Sequence, residues 1–461
     1  MILHFAYSIL LALSSQSSGS MPPPDQQRLA REIYRELIET NTSYSTGATT
    51  PAAEAMAARL KAAGFPEADI EILGAAPHKM NLVARYRGTG VRQPILLLAH
   101  LDVVEALRED WSMEPFRLTE SDGYFYGRGT GDDKAQAAIW VANFIRYRQE
   151  GFRPDRDLIL ALTADEEGGG PFNGVQWLLK NRPQLIQAEF CLNEGGWGEM
   201  RNGKNLLNSL QVSEKYVANF RLEVKNKGGH SSLPVKENAI YRLAAALQRL
   251  SNFEFPISLN EVTRAYFEQT SKLETGSIAE DLRAAANGSV EAQNRVAAAS
   301  PAWNAVMRTT CVATRLDGGH AYNALPQTAG AIVNCRILPG HALESVQRSL
   351  KTVIADGEVS ISLVGEPPHP SPPSPLRPDL MKAVSELTNS MWPGVPAIPK
   401  MVMGGTDGMY LRAAGTPTYG VQGIFFDSED IRFHGRDERL GVKQFYDGET
   451  FLYELVKRLS R

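Results

Sequence analysis

Residues 94–104 read PILLLAHLDVV, and this run decides the fold. The consecutive apolar side chains from Ile95 to Ala99 leave no polar face, as expected of a strand covered on both sides in a parallel or mixed sheet. The run ends on His100 and Asp102. Two further runs have the same form: DLILALTADEE (157–167) and AEFCLNEGG (188–196) also pass from buried-strand character straight into acids. Between them lie KAQAAIWVANFIRYRQEG (134–151), read as an amphipathic helix, and GVQWLLKNRP (174–183), read as another. Strands alternating with helices predict an α/β fold, with ligand groups collected at the carboxyl ends of the strands.

Working outward, DQQRLAREIYRELIET (25–40) and PAAEAMAARLKAAG (51–64) have helical spacing, and NLVARYRG (81–88) reads as a strand. After residue 211 the pattern changes to a strand–helix–strand–helix–strand order, with an alanine- and charge-rich helical stretch near 257–312. The proline-rich EPPHPSPPSPLRP (366–378) marks the return. The expected organisation is therefore a catalytic domain in two parts, 21–211 and 368–461. Between them sits a smaller α+β lid or dimerisation domain over 212–367.

The chain has 461 residues, enough for two domains, and a formal net charge of -4 with no basic block, so no nucleic-acid partner is expected. No run after the first twenty residues approaches membrane-spanning length, so no membrane partner is expected. Residues 2–13 form an apolar stretch followed by SSQSSGS, the pattern of a signal peptide over 1–20 and hence of a periplasmic or secreted protein. Against this, no Lys or Arg precedes the run. Translation from Met21 would leave the protein cytoplasmic. Cys191, Cys311 and Cys335 cannot make a disulfide framework; Cys191 and Cys335 read as buried thiols, and no bridge is expected.

Five acid or histidine clusters carry the chemistry. His100 with Asp102 suits a ligand whose second ring nitrogen is oriented by a carboxylate, although alone the pair reads equally well as a satisfied core histidine. Asp132 and Asp133 follow a glycine-rich loop, where a plain helix cap is the alternative. The acids of TADEEGGG close a very apolar strand, a costly place unless cations or protons neutralise them. Glu194 ends another such strand, and His434 lies in FHGRDERL near the C-terminus. Nitrogen and oxygen donors of this kind suit zinc, and two ions sharing a carboxylate explain the number of acids.

The segments HLDVV, GRGTGDDK, TADEEGG, LNEGG, GGHSS, NALP, CRILP, GGTDG and HGRDE occur in this order and resemble peptidase family M20. That family includes aminoacylase, acetylornithine deacetylase, succinyl-diaminopimelate desuccinylase and bacterial glutamate carboxypeptidase. The helical stretch also resembles the branch containing secreted N-fatty-acyl amino acid hydrolases. The resemblance implies that His100 and Glu194 bind one zinc, Glu167 and His434 the other, and that Asp132 bridges both, with cobalt or manganese as possible substitutes. It implies Glu166 as general base and a cis peptide bond after Asp132. It further implies that His230 reaches an active site, often that of a partner subunit, to stabilise the oxyanion. Asn323 and Arg336 would bind a substrate carboxylate, and Gly404, Gly405, Thr406 and Asp407 would form a substrate loop. The expected substrate is a small peptide or N-acyl amino acid, and a homodimer is possible. A dizinc aminopeptidase of the related clan is the rival enzyme, disfavoured by the inserted domain. A binding protein that had lost catalysis would have lost ligands, and here all five stand beside Glu166.

Overall fold

The computed structural model describes residues 21–461 apart from Gly169 and His369. The apolar leader foreseen over 1–20 lies outside the described residues. Strand Ile95–His100 is buried at every position. It pairs in parallel with Leu158–Thr163 on one side and Phe190–Asn193 on the other, which is why its sequence lacks a polar face. Lys79–Tyr86 and Ile70–Ala76 extend the sheet in antiparallel sense beyond Leu158–Thr163. On the other side follow Thr418–Gly420, Lys204–Glu214, Gly198–Arg201 and Phe425–Asp427. The result is a mixed sheet flanked by helices, as the alternation predicts. His100 stands opposite Thr163 in the register. The chain segments leaving these strands, 101–102, 164–167 and 194, therefore emerge along one edge.

Helix Lys134–Gln149 departs from its amphipathic reading. Every residue from Lys134 to Ile145 is buried, polar ones included, because helices Pro24–Glu39 and Val442–Leu459 cover the face turned away from the sheet. Lys134 reaches out of this packing by donating to the carbonyls of Leu37 and Thr40 at 2.8 and 2.9 Å.

The same interface holds a carboxyl group with a measurable consequence. Both oxygens of Glu449, on Val442–Leu459, are buried without a hydrogen-bond donor among the described residues. Burial raises its pKa to about 8, with Arg146 opposing. An acid raised in the folded state keeps a proton that the unfolded chain releases above its ordinary pKa near 4.5. Stability contributed by this site therefore falls as pH rises between about 4.5 and 8. Glu449→Gln is expected to match the parent near pH 4 and to exceed it at pH 9 by a few kcal/mol, on the order of 2–4. Melting temperatures of the two proteins at both pH values check this, and a difference that does not grow with pH would count against it.

The smaller sheet runs Thr310–Gly318, Thr328–Ile337, Tyr216–Lys225, Val359–Val364, all antiparallel. Its strands alternate strictly: Ala218, Phe220, Leu222 and Val224 pack under helices Ala239–Ser251 and Leu343–Ile354. The intervening Val217, Asn219 and Arg221 face the other way. Two expectations need correction here. Thr310–Gly318 is a strand that begins where a helical stretch was foreseen to end, and it sets Cys311 directly opposite Cys335 with Cα atoms 4.1 Å apart. The two form a disulfide, contrary to the expectation of none and of a buried thiol at Cys335; Cys191 stays free and buried. The bridge ties an edge strand to its one neighbour in the sheet among the described residues.

The helical stretch also sits differently. Its helices Glu261–Thr270, Ser277–Ala286, Val290–Ala299 and Pro301–Met307 were foreseen inside the smaller domain. They bury Val262, Phe267, Leu282, Val296 and Met307 in the core of the large domain instead. Glu261–Thr270 lies against strand Ala397–Val402 of the large sheet. An insertion in one domain thus roofs the other.

Candidate metal centre and substrate chambers

Asp102 organises the edge at which the strands end. Its carboxylate accepts the backbone N–H groups of Glu166 and Glu167, each at 3.0 Å, and so fixes the turn that follows strand Leu158–Thr163. The bond foreseen between this carboxylate and the His100 ring is made by the residue's main chain. His100 Nδ1 lies 2.9 Å from the Asp102 carbonyl and 3.7 Å from its Oδ1. A carbonyl partner places the proton on Nδ1 and frees Nε2 to act as a ligand.

The GRGTGDDK loop is wrapped around Glu438, a residue for which the sequence suggested no role. The buried Glu438 carboxylate accepts the amides of Gly129, Gly131 and Asp132 at 3.2, 2.7 and 3.2 Å and the guanidinium of Arg128 at 2.6 Å. Gly131 cannot be otherwise, since a Cβ there would lie 2.3 Å from the Phe433 ring. The peptide bond Asp132–Asp133 is cis, as the resemblance implied. Asp133 turns inward, where Gln422 donates to it at 3.3 Å.

These constraints aim Asp132 between two imidazoles. Its Oδ1 is 3.0 Å from His100 Nε2, and its Oδ2 is 3.2 Å from His434 Nε2. Glu194 Oε1 stands 3.9 Å from the same nitrogen of His100, and Glu167 Oε1 stands 2.8 Å from that of His434. His434 has φ 60°, a left-handed backbone that a histidine adopts at a cost of order 1–3 kcal/mol. Glu166 completes the His100 side, within 4.8 Å of both His100 and Glu194. The third acid of the run does not join. Asp165, with φ 63°, turns away to a fully buried ion pair with Lys79 at 2.9 Å.

So many acids on apolar strands titrate abnormally. Glu166 and Glu194 are pushed well above the usual carboxylate range by desolvation and by the other acids around them. Burial opposes charge on His100, yet Asp132, Glu194 and Asp102 hold its pKa well above the ordinary value. His434 is raised to about 10 by Asp132 and Glu167. The cluster draws positive charge toward itself. Glu167 Oε1 is buried without a hydrogen-bond donor among the described residues, although His434 Nε2 lies 2.8 Å away. That arrangement fits a cation better than a proton, and the N/O donor set suits zinc and its neighbours.

Two chambers border the cluster. The larger, about 770 Å³, touches it through Glu166 and Glu167 and is walled by Lys215 and by Val217 and Asn219 of the small sheet. The smaller, about 510 Å³, touches it through Asp132, Glu194 and His434. Gly405 and Thr406 of the foreseen substrate loop line both, and Gly404 lines the smaller. The loop is anchored from below. Thr406 donates to Glu214 at 2.9 Å, and Asp407 accepts from Thr163 and Asn173 at 3.0 and 2.6 Å. Burial holds Asp407 up at about 6. Arg336 lies opposite Val217 in the sheet, so it shares that residue's face, and it donates to the Met403 carbonyl at 3.4 Å.

His230 and Asn323 are brought to each other but not to this cluster. His230 ends the exposed strand Gly229–His230 and Asn323 is exposed in the turn just before its partner strand Ala324–Leu325; the Ser231 amide donates to the Asn323 carbonyl at 3.0 Å, and neither residue lines a chamber. His230 Nδ1 accepts from the Ser232 amide at 3.2 Å, which leaves the proton on Nε2.

The model for peptidase family M20/M25/M40 matches residues 96–458. The N-fatty-acyl-amino acid synthase/hydrolase of Homo sapiens is 32% identical over 374 residues, spanning 79% of this chain and 74% of that protein. Aminoacylase-1 of Homo sapiens is 25% identical over 448 residues, spanning 95% of this chain and 97% of its own length. Among solved structures, an M20 family metallo-carboxypeptidase from Sulfolobus solfataricus superposes with a TM-score of 0.69 at 16% identity, covering 93% of this chain and 98% of that one.

Proposed function

The chain belongs to peptidase family M20/M25/M40, whose chemistry is metal-dependent hydrolysis of amide bonds, and from that premise we propose that it cleaves an amide or peptide bond beside a free carboxylate. The observation that carries the reading is Asp132, one carboxylate whose two oxygens face two imidazoles, each with a second acid at hand. His100 and Glu194 would hold one zinc ion, Glu167 and His434 a second, and Asp132 both. Cobalt or manganese suits the same donors. When bound, such ions supply Lewis acidity, drawing water toward ionisation near neutral pH and polarising the scissile carbonyl.

The chain's own residues do the rest. Glu166 takes the water proton on its carboxylate and returns it to the leaving amine nitrogen. Arg336 meets the substrate carboxylate with a planar fork of donors. N-acyl amino acids, dipeptides and C-terminal residues of short peptides all satisfy this geometry. Turnover of an N-acyl amino acid and dipeptide panel, with and without an amidated carboxyl end, tests the reading. Hydrolysis of at least one free acid, lost on chelation and weakened on amidation, is expected. Indifference to chelation would overturn it.

His230 and Asn323 fit the same reaction if they serve a second copy of the chain. His230 presents Nε2–H, the donor an oxyanion needs. The arm bearing both residues is exposed, as are Leu233, Tyr322 and the edge-strand side chains Val312 and Leu316, an apolar surface suited to a homodimer. Mixing His230→Ala with Glu166→Gln, each inactive alone, is expected to restore activity at one site of the mixed dimer. A sedimentation result showing monomers would sink this part alone. The Cys311–Cys335 bridge supports export to an oxidising compartment. Recovery of the protein from the periplasm or medium, beginning beyond residue 20, checks that.

A further inference from the structure

Of the acids at 165–167, the reaction uses Glu166 and Glu167, and the burial of Asp165 needs a reason of its own. Strand Lys79–Tyr86 pairs with Leu158–Thr163 in antiparallel register, and the ladder ends where Leu82 stands opposite Leu162. Beyond that rung the two segments stay side by side, and side chains take over from backbone pairing. Asn81 Oδ1 accepts the Ala164 amide at 2.8 Å. Farther along, at positions that the same register sets opposite each other, Lys79 Nζ meets the Asp165 carboxylate at 2.9 Å. Both side chains are fully buried, and among the described residues neither forms another ion pair. The Tyr44 ring lies 4.9 Å from the Lys79 ammonium. Gly168 closes the stack, since a Cβ there would stand 2.9 Å from that ring and 3.1 Å from the Asp165 carboxyl group.

Asp165 has φ 63°, and a non-glycine residue is held in that left-handed region only where its surroundings over-determine it. The reversal sends the Asp165 side chain toward Lys79 and the next two residues toward the acid–histidine cluster. On that other side Asp102 accepts the amides of Glu166 and Glu167, each at 3.0 Å. The turn is thus pinned at two points: Asp102 holds the amides, and Lys79 holds the residue at which the chain reverses. A buried ion pair adds little net stability, because desolvation of the two charges offsets their attraction. Its consequence here is geometric. We propose that Lys79 is a positioning residue for amide hydrolysis, acting through Asp165 to set where Glu166 meets the attacking water and where Glu167 meets the metal it shares with His434. The kinetic half of this proposal rests on the amide-hydrolase reading, whereas the metal half rests on the donor geometry.

Lys79→Met keeps the reach of the side chain and removes its charge. On an N-acyl amino acid or dipeptide that the parent cleaves, kcat is expected to fall about 10–100-fold, the usual weight of a group that orients a metal ligand from behind. KM should stay close to the parent value, because the substrate's ends are untouched. Zinc affinity, measured by competition with a chromophoric chelator, should weaken by a similar factor for one equivalent and hold for the other. Lys79→Met also leaves Asp165 buried without counter-charge, so a lower melting temperature is expected, and stability has to be separated from position. Lys79→Met/Asp165→Asn removes both charges at similar volume and should regain most of the lost melting temperature. Its kcat and zinc affinity should remain low. If they return together with the melting temperature, the pair does no more than neutralise itself, and the positioning role is overturned. Parent-like kcat and zinc binding in Lys79→Met overturn it too, as does a loss confined to KM. Should Lys79→Met fail to fold, the double variant decides on the same two readouts. A parent that cleaves no amide sinks the hydrolase reading beneath, and zinc affinity then decides the positioning role by itself.

Discussion

Glu166→Gln is expected to keep its metal content and lose turnover by about 10²–10⁴-fold, the usual weight of a positioned acid–base group. The change is nearly isosteric, and the position of residue 166 is set by its backbone, whose N–H is held by Asp102 at 3.0 Å. Fold and site geometry should therefore survive. What glutamine cannot do is accept a proton from water and hand it to the departing nitrogen. The effect should fall on kcat more than on KM, because the group acts on the reacting atoms and not on the substrate's ends. Proximity alone leaves another role open, since Glu166 is also within ligand reach of His100 and Glu194. Metal analysis separates the two. Glu167→Gln, which alters the partner of His434, should lose one equivalent, whereas Glu166→Gln should lose none. A Glu166→Gln protein that lost metal, or kept activity within tenfold of the parent, would refute the assignment.

The parts of this molecule that were legible in the sequence are those governed by local pattern. Continuous apolarity from Ile95 to Ala99 could only mean burial on both faces, and the structure flanks that strand with two parallel neighbours. Acids closing such strands had to converge, because parallel strands in register end along one edge. The relationships that escaped the reading are long-range. Glu438 holds the Asp132 loop from some three hundred residues away, and nothing near it in sequence advertises that partner. Cys311 meets Cys335 only because both strands exist in one register, and the first strand was not recognised. Three consecutive acids, 165 to 167, look equivalent on paper. The left-handed backbone at Asp165 and the buried Lys79 send one of them elsewhere. The inserted helices read as part of the domain that contains them in sequence; which body they pack on depends on surfaces contributed by strand Ala397–Val402, far along the chain.

Asp132→Ala is expected to lose both metal equivalents together, where His434→Ala loses one. The contrast follows from geometry, since the Asp132 carboxylate faces both imidazoles, while the His434 ring is paired, among the described residues, with Asp132 and Glu167. Outer-sphere partners of a metal typically cost 10–100-fold in affinity when removed, and a carboxylate shared by two ions should cost more at each. The loss propagates further. Without the bridge and its cations, Glu194, Glu166 and Glu167 remain crowded at the strand ends, and desolvated acids without counter-charge destabilise the fold. Metal binding contributes to folding free energy, so melting temperature and metal content should fall together in Asp132→Ala, whereas Glu166→Gln should change neither. Dialysis against a weak chelator followed by elemental analysis measures the stoichiometry directly. Two equivalents retained in Asp132→Ala would show that the cations do not share this carboxylate, and the dinuclear reading would give way to separate sites or to none.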